Sequence, residues 1–403
     1  MIRALLLLVL LGSLGWWLDR EHRAGRFQRV DELFLYLLVA NTRDRFEKTA
    51  PDAETPSQVV LVKMRTADKA EYAGWPPRPL DWQMVLKGLQ PFDPAVIVIP
   101  ETLTWGRPSP EFTREAAEAL IPFPSIVLGT EGQIVAGSDA PAFLGGLEDS
   151  LPRFEKVQGD IKLVPQLGAL IAAPDELLRR QAEIGITILA QATEKPVLSY
   201  ALHEDGRLRP TTLTQALVRW SGTPYSTHRL LLGPGAGAYL ANGAFVPLTN
   251  TGEFIVDAKR PISEVDALNV MTVELAEALS DADKEHLKDA EIVVIGTDDD
   301  ASGGMARLHA QALAKALAMP RIHLLPAPAQ WCAWVMAALG GFWLVFLSPK
   351  TKALLRGALL ILAALGLGFL AFQSALIWCP PTLPAALLAV STLFARVAGR
   401  NTA

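Results

Sequence analysis

Three uncharged apolar runs near the C-terminal end constrain this chain more than any other feature. They are WCAWVMAALGGFWLVF from Trp331 to Phe346, GALLILAALGLGFLAFQSALIW from Gly357 to Trp378, and LPAALLAVSTLFA from Leu383 to Ala395. About twenty apolar residues cross about 30 Å of hydrocarbon. The second run meets that length as it stands. The first does so when counted from Ala327 to Leu347, and the third when counted from Trp378 to Val397. Spans are therefore expected over 327–348, 354–379 and 380–398, followed by a short tail, 399–403.

Basic residues set the orientation, because Lys and Arg collect on the cytoplasmic side of a membrane. The first connection, SPKTKALLR, carries Lys350, Lys352 and Arg356, whereas the second, CPPTL, carries none. Arg396 and Arg400 follow the third run. The first connection and the C-terminus are thus expected inside, and everything polar before Trp331 outside. At the other end, Arg3 precedes the apolar run Ala4–Leu18 and Asp19-Arg20-Glu21 closes it. With Trp16-Trp17 suited to an interface and no small-residue cleavage site close by, 1–19 is read as an uncleaved anchor. A cleaved signal peptide is the other reading, and it exports the same 20–326 segment.

That segment, about 310 residues, can bury a full core. The formal net charge is only −5, without the basic stripe of a nucleic-acid partner. The chain has two cysteines, Cys332 and Cys379, and both fall at the outer ends of expected spans. One reading is a disulfide, which needs Cα atoms within about 7 Å. The other is two small apolar residues at the membrane surface.

Hydrophobic periodicity gives the coarse architecture. A helix is expected over Asp31–Lys48, then a strand at VVLVKM, 59–64. Trp82, Val85, Leu86 and Leu89 form one helix face, and AVIVI, 95–99, follows as a buried strand. Strand, helix, strand at this spacing reads as a βαβ unit. A further helix at 111–120 and strand at 125–129 repeat it. A helix broken at Pro174 is expected within 167–184, then a strand near 186–189 and a helix at 213–220. Asn242-Gly243 and Thr251-Gly252 signal hairpins, and 262–290 reads as helical. EIVVIG, 291–296, is the last strand and 305–318 the last helix before the spans. The fold class expected is an α/β domain with a mixed sheet, plus about four transmembrane helices.

This order of segments resembles the type-2 CHASE family, extracytoplasmic sensor modules of bacterial cyclases and kinases. The resemblance covers nearly the whole chain. It rests on Trp75-Pro76-Pro77-Arg78 before a helix, a strand ending at Pro100-Glu101, and Asp205-Gly206 followed by Arg207 and Arg209. Val246-Pro247-Leu248 leading to Gly252, Ile292 to Gly296, and His309-Ala310 complete it. The chain departs from the family pattern where Lys63-Met64-Arg65 replaces an acidic strand end, where Pro100-Glu101 replaces an Asp, and in the shortened segment TDDDASGG. The resemblance implies a multi-pass protein of a bacterial inner membrane, in contact with lipid, with the sensor domain outside and the C-terminus inside. No output domain follows Arg400, so a stand-alone sensor acting through a separate partner is expected. A structural envelope-assembly protein on the same fold is the alternative. The sensor's ligand would be an extracytoplasmic molecule or protein of unspecified kind, and a homodimer is compatible with either reading.

The candidate ligand-binding residues are Trp75, Arg78, Glu101, Asp298 and His309. Trp75, Arg78 and Glu101 are expected together at the strand C-terminal edge, set against packing and a structural ion pair. Asp298-Asp299-Asp300 stand at a strand end, where open α/β sheets bind ligands. Three carboxylates suit a hard cation, but adjacent side chains diverge, and a solvated loop is the competing reading. His309 is set between a pH-sensing role and a hydrogen-bonded structural one. Gly233, Gly235 and Gly237 lack the following helix that phosphate binding needs and read as a turn. No hydrolase, metalloprotease or P-loop motif occurs, so no enzyme, cofactor or metal is expected. Gly340-Gly341, Gly366 and Gly368 are read as allowing close helix contacts.

Overall fold

The computed structural model describes residues 13, 16–18, 20, 21, 28–47, 58–106, 108–135, 142–188, 196–233, 235–240, 242–271, 279–298 and 304–398. Most of the expected N-terminal anchor therefore lies outside the described residues, as do Asp299, Asp300 and Pro234. The chain divides into two units: residues 45–320, and residues 1–44 together with 321–403.

The helix α1, Gln28–Glu47, comes first, and the α/β unit opens with β1, Val59–Met64. Next come α2 (Pro79–Leu89), β2 (Val96–Ile99), α3 (Pro110–Glu118) and β3 (Ile126–Val135). The middle carries β4 (Lys156–Gln158), β5 (Gln166–Leu170), α4 (Glu176–Arg179), β6 (Glu183–Ile188), β7 (Val197–Ser199), β8 (Ala201–Glu204), β9 (Arg207–Pro210) and α5 (Thr212–Ser221). After β10 (Arg229–Leu231), β11 (Gly237–Tyr239), β12 (Phe245–Pro247) and β13 (Glu253–Ile255), the chain returns through β14 (Ser263–Asp266), α6 (Ala267–Met271) and α7 (Asp281–Lys288). The unit ends on β15 (Ile292–Thr297) and α8 (Met305–Leu317).

The main sheet runs β14-β1-β15-β2-β3-β5-β8-β9, with β6 also paired to β3. Six strands, β14, β1, β15, β2, β3 and β6, are mutually parallel. The central strands β1, β15 and β2 are nearly continuous apolar runs because both their faces are covered. Val60, Val62, Ile97, Ile99, Val293 and Ile295 face α2, α3, α6 and α7. Val59, Leu61, Val96, Val98, Ile292 and Val294 face α5 and α8. The expected face of α2 is there: Trp82, Val85, Leu86 and Leu89 are all buried. The expected βαβ unit is parallel, but β1 and β2 are not neighbours. β15, from the far end of the unit, is inserted between them, with Val62 opposite Ile295 and Val98 opposite Val294.

Three expectations are corrected. Gln166–Leu170 is a strand, antiparallel to the second half of β3, and only Glu176–Arg179 is helical in that region. Ser263–Asp266 is also a strand, pairing in parallel with β1 before α6 begins. Asn242-Gly243 does turn the β11–β12 hairpin, with Gly243 at φ 85°. Thr251-Gly252 instead separates two sheets, since β13 pairs with β7.

The second unit continues with β16 (His323–Leu324), α9 (Ala327–Leu347), α10 (Lys350–Ala375), β17 (Ile377–Trp378) and α11 (Thr382–Ala398). Among the described residues, Pro328–Leu347 and Lys350–Ala375 are long and apolar enough to cross a membrane; Thr382–Arg396 is apolar but shorter. Only 22% and 11% of the two long stretches is buried in the protein, which separates them from core helices of a soluble fold. Leu355, Leu359, Leu362, Leu367 and Leu370 of α10 are all exposed. These helices indicate membrane association.

α11 is the inner helix of the three. Gly341 of α9 abuts Ser391, and Gly357 of α10 abuts Thr392, so close that a Cβ at either glycine would overlap the hydroxyl side chain. Ser391 and Thr392 donate to Leu387 O (2.8 Å) and Leu388 O (2.7 Å) of their own helix, as hydroxyls do in apolar surroundings. Gly340 also meets Leu388 of α11, but among the described residues Gly366 and Gly368 make no close helix contact. Parallel pairing of β16 with β17 joins the start of α9 to the α10–α11 connection. Cys332 and Cys379 are both free thiols, the first exposed on α9 and the second half-buried after β17.

Candidate functional site

The C-terminal ends of β14, β1, β15 and β2 converge on a set of charged and hydroxyl side chains. β2 stops at Ile99 because Pro100 cannot continue the ladder, and this delivers Glu101 beside the end of β15. One oxygen of Glu101 accepts from Thr297 N (2.5 Å) and Thr297 Oγ1 (2.8 Å). Gly296 makes room for that carboxylate and for Ala306 at the start of α8; a Cβ there would collide with Ala306 and crowd Glu101. On the other side of β15, Asp298 Oδ1 accepts from Thr66 N (2.6 Å) and Thr66 Oγ1 (3.0 Å), while Asp298 N donates to Met64 O (3.0 Å). The two carboxylates thus fasten β15 to its neighbours, one on each flank.

Further along the edge, Arg65 pairs with Asp266 at 2.8 Å. Lys63 (3.2 Å) and Arg307 of α8 (2.6 Å) share Glu264. Lys63 and Arg65 thus each have a carboxylate partner on β14.

Trp75 and Arg78 belong to the loop between β1 and α2. The Trp75 ring lies 5.7 Å from that of Tyr72, which is buried. Burial pushes the Tyr72 phenol well up, and the Asp266 carboxylate adds to this. Arg78 precedes Pro79, the first residue of α2, and its backbone N–H donates to Asp81 Oδ2 (2.7 Å). The other Asp81 oxygen accepts from Ala73 N (2.8 Å), so this buried aspartate closes the loop onto the helix. An acidic third residue in a helix that opens on proline was readable as an N-terminal signal. The Arg78 guanidinium itself lies over Gly74 and reaches toward solvent.

His309 sits in the second turn of α8 and is buried. Its Nδ1 is 2.9 Å from Met305 O, so the ring donates to its own helix. Burial holds its pKa down to about 4, against a smaller upward pull from that bond. The candidates therefore fall into three groups: Glu101 with Asp298 on β15, Trp75 with Arg78 on the β1–α2 loop, and His309 within α8. Thr297 and Thr66, the partners that hold the two carboxylates, carry no motif of their own, whereas Asp81 carries the acidic first-turn signal of α2. Among the described residues, no group of three or more His, Cys, Asp or Glu side chains could hold a metal ion. Gly233 and Gly235 both have positive φ, and β11 begins at Gly237, with no helix following.

Chemically, the arrangement is a brace: carboxylates accept from backbone and hydroxyl donors and hold three strand ends and α8 in one register. Glu101→Ala would strip acceptors from the Thr297 N–H and hydroxyl, which are largely buried. We expect a loss of about 2 kcal/mol, or roughly 4–8 °C in the melting of the α/β unit. Glu101→Gln, which keeps an acceptor, should lose about half as much. Calorimetry of the full-length protein checks this, and an unchanged transition for the alanine variant would remove the brace.

No family model, no curated protein and no solved structure matches this chain.

Proposed function

We propose that the chain is a stand-alone membrane sensor. Its α/β unit lies outside a bacterial inner membrane, and a change there is relayed through the spans to a separate signalling partner inside. The observation that carries this reading is the pairing of the exposed apolar stretches of α9 and α10 with an asymmetric charge distribution. The expected SPKTKALLR loop is helical from Lys350 on, so Lys350, Lys352 and Arg356 crowd the first two turns of α10, while Cys379–Leu383 has no basic residue. On this reading α9, α10, α11 and the N-terminal apolar run make about four spans, lipid surrounds them, and no nucleic acid, cofactor or catalysis is involved. The order of segments resembling the type-2 CHASE family supports it.

The chain passes between its two units at Asp44–Arg45 and at Pro320–Arg321. A ligand-biased shift between two packings of the α/β unit would reach the spans through those two segments. The strand-end residues are where such a shift would register, since Glu101 and Asp298 set the position of β15 and, through Gly296, of α8. The same engagement of the carboxylates favours a second reading, a scaffold or assembly protein of the envelope that binds no small ligand.

Cross-linking in native membranes, followed by purification of the full-length protein, decides between them. The sensor reading expects a kinase, cyclase or phosphodiesterase cross-linked to the start of α10, Lys350 to Arg356, or to the tail beyond Arg396. Recovery of envelope-assembly proteins alone, linked through the α/β unit, would replace the sensor with the scaffold.

A further inference from the structure

The helix α1 has two contrasting faces. Asp31, Leu35, Leu38, Val39 and Thr42 are buried. On the opposite side Val30, Leu33 and Leu37 are 54%, 60% and 62% exposed. Their spacing of three and four residues lines them up as one stripe on consecutive turns. Large apolar side chains stacked in this way mark a contact surface.

The position of α1 says what covers the stripe. Asp31 Oδ1 accepts from Thr382 N (3.0 Å) and Thr382 Oγ1 (2.6 Å), which fixes this turn of α1 at the N-terminus of α11. One turn on, the Phe34 ring is 6.2 Å from Trp378. Trp378 follows α10, and Trp331 and Trp334, 4.9 Å apart, open α9. Tryptophans at span ends mark the membrane–water interface. Leu324, 60% exposed, lies at the same level through its strand pairing with Trp378. The stripe therefore lies at the level of the span ends, where the tryptophans mark the interface.

A second copy of the chain fits the stripe poorly. Its three side chains expose roughly 300 Å² together, against roughly 800 Å² per partner in a standard interface. Continued at the same spacing, the stripe runs through Ala40 to Asp44, and a parallel pair in one membrane would set Asp44 against Asp44.

We infer that the first half of α1, from Val30 to Leu37, is set into the headgroup–acyl boundary of the outer leaflet, with phospholipid as its partner. The inference rests on the membrane-spanning reading of α9 and α10. It adds a lipid contact to a segment too polar to span, and one that enters the α/β unit at Arg45. Lateral pressure in the outer leaflet then acts on a helix of the proposed sensor directly.

Spin labels test this in the full-length protein in phosphatidylcholine vesicles, on a Cys332→Ser, Cys379→Ser background. Collision rates are measured with oxygen, which partitions into lipid, and with a nickel chelate, which stays in water. For Leu33→Cys, oxygen collisions should exceed nickel collisions several-fold, as for the lipid-facing control Leu362→Cys on α10. Asp44→Cys, about 20 Å along the helix from Asp31, should show the reverse. Val30→Cys and Leu37→Cys read the same face if Leu33→Cys fails to incorporate. A Leu33 label that matches Asp44 overturns the inference in favour of water. One shielded from both reagents overturns it in favour of a protein partner. If Leu362→Cys itself favours nickel, the membrane reading has failed, and that result is separable from failure at α1.

Discussion

Acidification from pH 7 to pH 4 is expected to remove about 6 kcal/mol of stability from the α/β unit through two buried histidines, His228 and His309. His228 is fully enclosed. Its Nε2 is 3.1 Å from the Tyr200 hydroxyl, and Phe154, Tyr200 and Tyr225 surround the ring at 5.4–6.1 Å. Tyr225 turns its own hydroxyl to Gln215 Oε1 (2.7 Å). Burial lowers the pKa of His228 to about 4, as it does for His309. In the unfolded chain both titrate near the ordinary value of about 6.5. The folded state therefore binds fewer protons than the unfolded state across that window. The stabilisation is complete above about pH 6.5 and is lost as pH falls toward about 4, at about 3 kcal/mol for each ring. Melting of the full-length protein should drop by roughly 12–24 °C from this source. Other groups also titrate here, so the decisive comparison is with His228→Asn. That variant starts less stable at pH 7, and its deficit should close by about 3 kcal/mol by pH 4. A deficit that stays constant with pH would mean that His228 is not held neutral by its surroundings.

The sequence was most readable where one element's own residues settle its state. Trp82, Val85, Leu86 and Leu89 declare α2 by spacing alone, and the apolar runs of β1, β2 and β15 declare buried strands. Two of the three misread segments fail for one reason. Gln166–Leu170 and Ser263–Asp266 have neither a strong period nor a β-branched run, and each becomes a strand only because β3 or β1 offers an unpaired edge. Site residues divide similarly. Glu101 and Asp298 could be placed at strand ends from position, but their roles depend on donors 196 and 232 residues away in the chain. His309 was legible as a choice between two states, and the bond to Met305 four residues earlier is local enough to decide it. Asp31 carried no signal at all, since its partner Thr382 lies 351 residues on, across the whole α/β unit in sequence.

Arg209→Met is expected to cost about 3–5 kcal/mol, the penalty for leaving one half of a buried ion pair behind. Arg209 is 1% exposed and is among the largest fully buried side chains of the unit. It stands on β9, after the tight turn at Asp205-Gly206, where positive φ of 44° and 72° reverses the chain. The hairpin sets Arg209 opposite Leu202, diagonal to Glu204, and its Nε donates to Glu204 Oε2 at 3.0 Å. Its Nη1 donates to the carbonyls of Glu148 (3.2 Å) and Leu151 (2.5 Å). One guanidinium thus joins the β8–β9 hairpin to the Glu148–Leu151 turn, and the motif that marks this hairpin in the sequence is explained by that clamp. Lysine keeps the charge, but a single ammonium cannot serve three acceptors in a planar fan, so Arg209→Lys should recover less than half of the loss. The double variant Glu204→Gln, Arg209→Met removes the stranded carboxylate and should be more stable than Arg209→Met alone. Chemical denaturation of all four proteins checks this. If Arg209→Met loses less than about 1 kcal/mol, or if the double variant is the less stable of the two, the charge at position 209 is solvated and the clamp is not what holds the turn.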